Sequence, residues 1–149
     1  MKQIESAAEG RNYSAVTVGT LDALHEHVLT LSPEISIPGK VFVGTALKAT
    51  GAELSFQSFP VGAETGFLHT HKEHEELYIF VKGSGEFQVD GEVFAVGEGS
   101  VVRVAPAGKR SVRNMGTEPL VMLCIQYKAD SFTADDAADG NLLAEPVVW

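Results

Sequence analysis

The chain has 149 residues, with 20 acidic and 11 basic side chains and a formal net charge of -9. This length is typical of one domain, and the negative charge disfavours phosphate backbones and anionic lipid, so we expect a single domain over 1–149 that binds neither nucleic acid nor membranes. No apolar run is long enough for a membrane span, the first residues lack the hydrophobic stretch of a signal peptide, and the lone Cys124 excludes an intrachain disulfide, so we expect a cytoplasmic protein.

The first part of the chain, 1–39, is predicted to be an extension outside the main fold. Its apolar residues recur at helical spacing behind Thr20 or Asp22, either of which could cap a helix. The residues of this pattern are Leu21, Leu24, Val28 and Leu31. The spacing predicts a short helix that ends before Pro33.

From about residue 40 to about residue 128 the sequence changes to short β-rich runs separated by glycine and proline turns. The Asp90-Gly91 pair lies between two alternating runs and predicts a tight hairpin. No helical pattern interrupts these runs. This pattern of short strands and turns therefore predicts an all-β, antiparallel sandwich or barrel.

After the predicted barrel, 129–141 is acidic and rich in small residues, which indicates a solvated loop. The following segment, NLLAEPVVW, is apolar enough to pack on another surface. We expect Trp149 to anchor this tail, either against the barrel or against a partner subunit.

The segment HTHKEHEELYIFVKG, 69–83, carries the clearest chemical pattern. We interpret it as the end of one strand, a tight connection and a second strand. Alternation places Phe67, His69 and His71 on one face of the first strand, while Glu76 and Tyr78 share a face of the second. If the two strands pair, the Glu76 carboxylate comes close to both imidazoles.

Two neutral imidazoles and one carboxylate form a ligand set that suits a divalent first-row metal and leaves coordination positions for water or substrate. The alternative is an exposed His-x-His pair followed by a solvated charged turn over 72–75. His74 belongs to that turn and is expected to be a solvated surface residue. His25 and His27 lie in the extension without a ligand partner at suitable spacing, so we expect them to be exposed or half-buried. Cys124 and Phe80 are predicted to be core packing.

His69, His71, Glu76 and Gly83 resemble the first motif of the cupin family, with four residues between His71 and Glu76. The leading glycine, Gly62, is one position early. The second cupin motif can be laid without a gap from Gly99 to Asn114. In that register its proline and glycine are alanines, and Arg110 replaces the histidine that is the family's fourth metal ligand. If the motif is instead aligned on Pro106 and Gly108, Ser111 stands at the position of the ligand histidine.

Arg110 therefore leaves three arrangements open. It could point out of the barrel, beside a three-residue metal site. It could point inward and pair with Glu76 in place of a metal. It could also point inward beside a metal and hold a substrate carboxylate with its planar guanidinium.

The resemblance implies a jelly-roll barrel, that is, a double-stranded β-helix, often dimeric, with Fe, Mn, Ni or Zn held by His69, His71 and Glu76. We expect a small polar or anionic metabolite in the barrel, contacted by Arg110, Tyr78 and Phe67, and a metal-dependent dioxygenase, isomerase or lyase reaction. No residue is assigned a catalytic role. A small-molecule-binding cupin without turnover and a metal-free structural cupin are the alternatives.

Overall fold

The computed structural model describes residues 2–149, most of which lie in antiparallel β-strands or the turns between them. A short helix, α1 (Gly44–Leu47), and two 3-10 turns, Leu21–Glu26 and Asp136–Ala138, complete the regular structure of these residues. The strands are β1 (Glu5–Gly10), β2 (Tyr13–Thr17), β3 (Val28–Ser32), β4 (Ile35–Pro38), β5 (Lys40–Phe42), β6 (Glu53–Phe59), β7 (His74–Lys82), β8 (Ser84–Val89), β9 (Glu92–Gly97), β10 (Val101–Val104), β11 (Arg110–Arg113) and β12 (Leu120–Lys128).

Two sheets form the barrel. The larger has the strand order β10-β7-β12-β6-β5, and the smaller has the order β11-β8-β9. The main core is buried between them and includes Tyr78, Phe80 and Phe87. Because side chains alternate along each strand, the face of β7 that carries Tyr78 and Phe80 also carries Glu76 into the interior. The predicted all-β jelly-roll barrel is confirmed.

The Asp90-Gly91 hairpin joins β8 to β9 as the sequence predicts. Both residues have positive φ, 52° at Asp90 and 90° at Gly91, and Val89 pairs with Glu92 across the turn. Left-handed backbone at both central positions is the geometry of a two-residue type I′ turn, which matches the twist of the flanking strands.

The short N-terminal helix predicted from Leu21 to Leu31 is not formed over that length. Only Leu21–Glu26 forms a 3-10 helix, and His27 already has the extended backbone that begins the hairpin of β3 and β4. The same apolar spacing fits both a helix and a strand with a bulge, and pairing with β4 decides for the strand. Leu24 is fully buried, with Val121, against the outer face of the larger sheet.

The structure also differs from the sequence predictions at the His-x-His segment and at the C-terminal tail. The segment before β7 is not a strand and is tied to β11 by isolated bridges of Glu64 to Arg113 and of His69 to Arg110. The tail does not dock on the barrel, and Trp149 is fully exposed. None of the helices in residues 2–149 has the length and hydropathy needed to cross a membrane.

Candidate metal and ligand site

Glu76 is the third residue of β7, and its side chain lies in the barrel interior. β7 lies between β10 and β12, where Glu76 pairs with Val104 on one side and Gln126 on the other. The Glu76 residue is 2% exposed. Its backbone position is therefore fixed by two neighbouring strands, and its side chain is enclosed.

Backbone hydrogen bonds position the two histidines opposite Glu76. The Arg110 amide donates to the His69 carbonyl at 3.2 Å, and the His71 amide donates to the Pro106 carbonyl at 2.9 Å. These contacts hold an irregular segment against β11 and its preceding loop. The imidazoles are brought to Glu76 by contacts with β11 and its preceding loop, and not by the direct pairing with β7 that the sequence analysis considered.

The imidazoles converge on the carboxylate. His71 Nε2 lies 3.1 Å from Glu76 Oε1, and His69 Nε2 lies 3.8 Å from Glu76 Oε2. The two imidazole planes are inclined at 86°, with ring centroids 5.4 Å apart. Potential ligand atoms of the three residues all lie within 4.8 Å of one another. This group could hold a metal ion.

Arg110 points into the barrel and is completely buried. Its Nε lies 3.2 Å from Glu76 Oε2, and its Nη1 donates to the carbonyls of Gly108 at 2.8 Å, His69 at 3.2 Å and Pro106 at 3.4 Å. The outward orientation is therefore wrong. The contact with Glu76 supports the motif register in which Arg110 takes the place of a ligand histidine.

The two oxygens of Glu76 have different surroundings. Oε2 accepts a hydrogen bond from the Tyr78 hydroxyl and faces Arg110. Oε1 faces His71, and its one hydrogen bond from residues 2–149 comes from the thiol of Cys124, at 3.4 Å. A thiol is a poor hydrogen-bond donor. Oε1 therefore keeps lone pairs for another partner.

The surroundings of Glu76 keep it ionised. Burial would raise its pKa, but the nearby His69 imidazole, the hydrogen bond from Tyr78 and the charges of His71 and Arg110 outweigh burial and lower the pKa to about 2. Burial lowers the pKa of His71, which favours the neutral imidazole. A carboxylate and a neutral imidazole are the protonation states that metal binding requires.

The residues fit a metal ion. His71 Nε2 and His69 Nδ1 are buried without a hydrogen-bond partner in the described residues, 2–149. Ligand atoms about 2.0–2.2 Å from a divalent ion are at most about 4.4 Å apart. The 3.1 Å and 3.8 Å separations at Glu76 satisfy this limit, and the potential ligand atoms of all three residues lie within 4.8 Å of one another.

A cavity of about 220 Å³ opens beside this group. Phe67, Tyr78 and Arg110, which the sequence proposed as pocket residues, all line it. Arg110 Nη2 is buried there without a hydrogen-bond partner within residues 2–149. That these residues bind a ligand stays a prediction.

The sequence interpretation missed several polar residues in the cavity wall, and three of them, Lys40, Gln57 and Gln126, come from the larger sheet. Each lies on a strand of the larger sheet, and Gln57 is buried. The sequence signal that could have identified them is the presence of polar residues at alternating positions of runs that are otherwise typical of buried strands. That signal does not distinguish the inside of a barrel from its outside.

The other three histidines lie outside the metal-binding group. His74 and His25 are exposed, in agreement with the prediction that they lie at the surface. His27 is buried and its Nε2 lies 2.9 Å from the Val18 carbonyl, so the prediction that it is exposed or half-buried is wrong. Phe80 is core, as predicted, and Cys124 is buried but also contacts Glu76.

The fold and this site define a double-stranded β-helix barrel with a histidine and carboxylate cluster inside. The family model for the cupin domain matches residues 55–126. The structure is similar to that of a cupin protein from Bacteroides fragilis, with 34% identity and a TM-score of 0.66, over 77% of this chain and 94% of that chain. The chain belongs to the cupin family.

Two further similarities are less extensive. An uncharacterised protein from Methanocaldococcus jannaschii is 37% identical over 68 residues, which is 46% of this chain and 54% of that protein, so the chain spans about half of it. A protein described as a predicted oxalate decarboxylase from Thermotoga maritima shares the fold at 19% identity and a TM-score of 0.57, over 68% of this chain and 90% of that one.

Proposed function

We propose that this cupin binds one divalent transition metal through His69, His71 and Glu76 and presents it to a small polar or anionic metabolite in the adjoining cavity. The observation that supports this proposal is the convergence of the three side chains, whose potential ligand atoms lie within 4.8 Å of one another. Fe, Mn, Ni and Zn all accept imidazole and carboxylate ligands.

The chain's own residues prepare this site in two ways. Tyr78 and Arg110 hold the Oε2 side of Glu76, so that Oε1 remains directed at His71. The unpaired Nη2 of Arg110 is available to donate a hydrogen bond to a polar group of the ligand. A bound metal would supply Lewis-acid or oxygen-activating chemistry. We propose a dioxygenase, isomerase or lyase reaction.

A specific observation favours a second candidate. Arg110 already places a positive charge 3.2 Å from Glu76 Oε2, as a metal-free cupin would require. In that case the barrel binds a small molecule without metal chemistry. The two candidates make opposite predictions for metal content.

The deciding experiment is elemental analysis of untagged protein beside the double variant His69→Ala, His71→Ala. We expect about one equivalent of metal in the wild type and almost none in the variant. The matched control is His25→Ala, His74→Ala, which removes two exposed histidines and should retain the metal. Equal metal content in the wild type and the His69, His71 variant contradicts the metal site.

The variant Arg110→His provides a second test of the metal site. It replaces a buried cation next to the site with an imidazole, so we expect metal affinity to rise at least about tenfold. An affinity that stays the same or falls would contradict the assignment of Arg110 to the lost ligand's position.

A further inference from the structure

Lys40 is the second cation of the cavity and lies on the strand farthest from the one that carries Glu76 in the order β7-β12-β6-β5. It pairs with Gln57 across β5 and β6, and its Nζ donates to Gln57 Oε1 at 3.0 Å. Nζ also lies 5.3 Å from the centre of the Phe42 ring. These contacts hold the ammonium group in the wall of the cavity.

Lys40 shares the cavity with two carboxylates, Glu64 and Glu76, but it forms an ion pair with neither among residues 2–149. Within the described chain, 2–149, the ion pairs formed at 4.0 Å or less do not include Lys40, and the nearby Glu76 is already paired with Arg110. Burial lowers the pKa of Lys40. A partly desolvated ammonium without a counter-ion is unfavourable, and an anion that enters the cavity would relieve that cost.

The exposed surface of the cavity wall is more apolar than polar. Leu29, Ile37, Phe42 and Met122 contribute to it. At about 220 Å³ the cavity is below the range of about 300–1,000 Å³ typical of sites for drug-sized ligands. Its shape and chemistry suit a small molecule with a charged end and an apolar body.

We propose that Lys40 and Gln57 form an anion subsite, and that the ligand of this cupin is a small carboxylate whose apolar body lies along Phe42 and Met122. This inference rests on the proposed function only for the other end of the ligand, which would face His69 and His71. The subsite itself needs no metal.

The test compares hexanoate with hexanamide, which has the same chain without the charge. Protein amide signals are followed by NMR titration, with the protein both as purified and after treatment with a chelator. The wild type should bind hexanoate at least about tenfold more tightly than hexanamide in both preparations. Lys40→Met should remove that preference by weakening hexanoate binding alone, and Lys40→Arg should retain it.

Lys128→Met is the control, because Lys128 is an exposed lysine at the far end of β12, and it should bind as the wild type does. If Lys40→Met does not fold, Lys40→Gln replaces it. A wild type that binds hexanoate no more tightly than hexanamide overturns the subsite. So does a folded neutral variant that keeps the preference, which would leave Lys40 with a structural role. Loss of metal from the His69, His71 variant tests the metal proposal separately.

Discussion

Arg110 and Glu76 form a buried ion pair, with Nε 3.2 Å from Oε2, at the place where the cupin motif puts a fourth metal ligand. Each charge lowers the cost of burying the other. Three backbone carbonyls accept hydrogen bonds from Arg110 Nη1 and fix the orientation of the guanidinium. The pair is therefore a fixed part of the site.

Removing one member of this pair should destabilise the protein more than removing both. Arg110→Met leaves Glu76 without its buried cation, and the free energy of unfolding should fall by about 3 kcal/mol. In the double variant Arg110→Met, Glu76→Gln the total loss should be smaller than in Arg110→Met alone, because no buried charge is left unpaired. Urea unfolding of chelator-treated protein measures both. Strictly additive losses would show that the pair has no coupling.

The Tyr78 hydroxyl should contribute measurably to stability through its hydrogen bond to Glu76. A buried hydrogen bond to a charged group is worth about 1.5–3 kcal/mol, so Tyr78→Phe should lower the free energy of unfolding by about 2 kcal/mol. Tyr127→Phe is the control, since its hydroxyl donates to Glu75 at 2.6 Å at a half-buried position. Equal losses in the two variants would argue against a special role for Tyr78.

Glu76 should make a contribution to stability that acid removes. Its pKa is about 2 in the folded protein against an ordinary value of 4.5, so the contribution is complete above about pH 4.5 and is lost as pH falls towards 2. The difference in unfolding free energy between wild type and Glu76→Gln should shrink across that range. Denaturant unfolding of chelator-treated protein at several pH values measures it, and a constant difference would contradict the lowered pKa.

The Cys124 thiol should be unreactive in the folded protein. Burial, together with the charge of Glu76, raises its pKa to about 12. At pH 8 almost no thiolate is present, so labelling with a disulfide reagent should be at least about a hundredfold slower than in urea-unfolded protein. Because Cys124 is the only cysteine, one thiol per chain reports the result. Rapid labelling of native protein would contradict the prediction.

The oligomeric state of the protein, and the contacts of its C-terminal tail, can be tested by measuring the mass in solution. Leu142, Leu143 and Trp149 are exposed, and their burial against a second copy would agree with the predicted homodimer. Light scattering during gel filtration measures the mass. The homodimer and the cytoplasmic location remain predictions.

Alternation and turn residues in the sequence alone determined the all-β class, the Asp90-Gly91 hairpin and the parity that puts Glu76, Tyr78 and Phe80 on one face of β7. These features depend on neighbours along the chain. Spacing and alternation also suggested His69, His71 and Glu76 as a ligand set. The resemblance added the barrel topology and the position of Arg110 in place of a fourth ligand.

The tertiary structure decided which residues meet inside the barrel. Alternation gives two faces but does not say which face is inside, so the inward positions of Arg110 and Lys40 could not be derived from it. Val28 became part of a strand because β4 pairs with it, although its spacing also fits a helix. Each of these positions depends on contacts with residues distant in sequence. The way the sheets close decides which charged side chains are buried and which partners they meet.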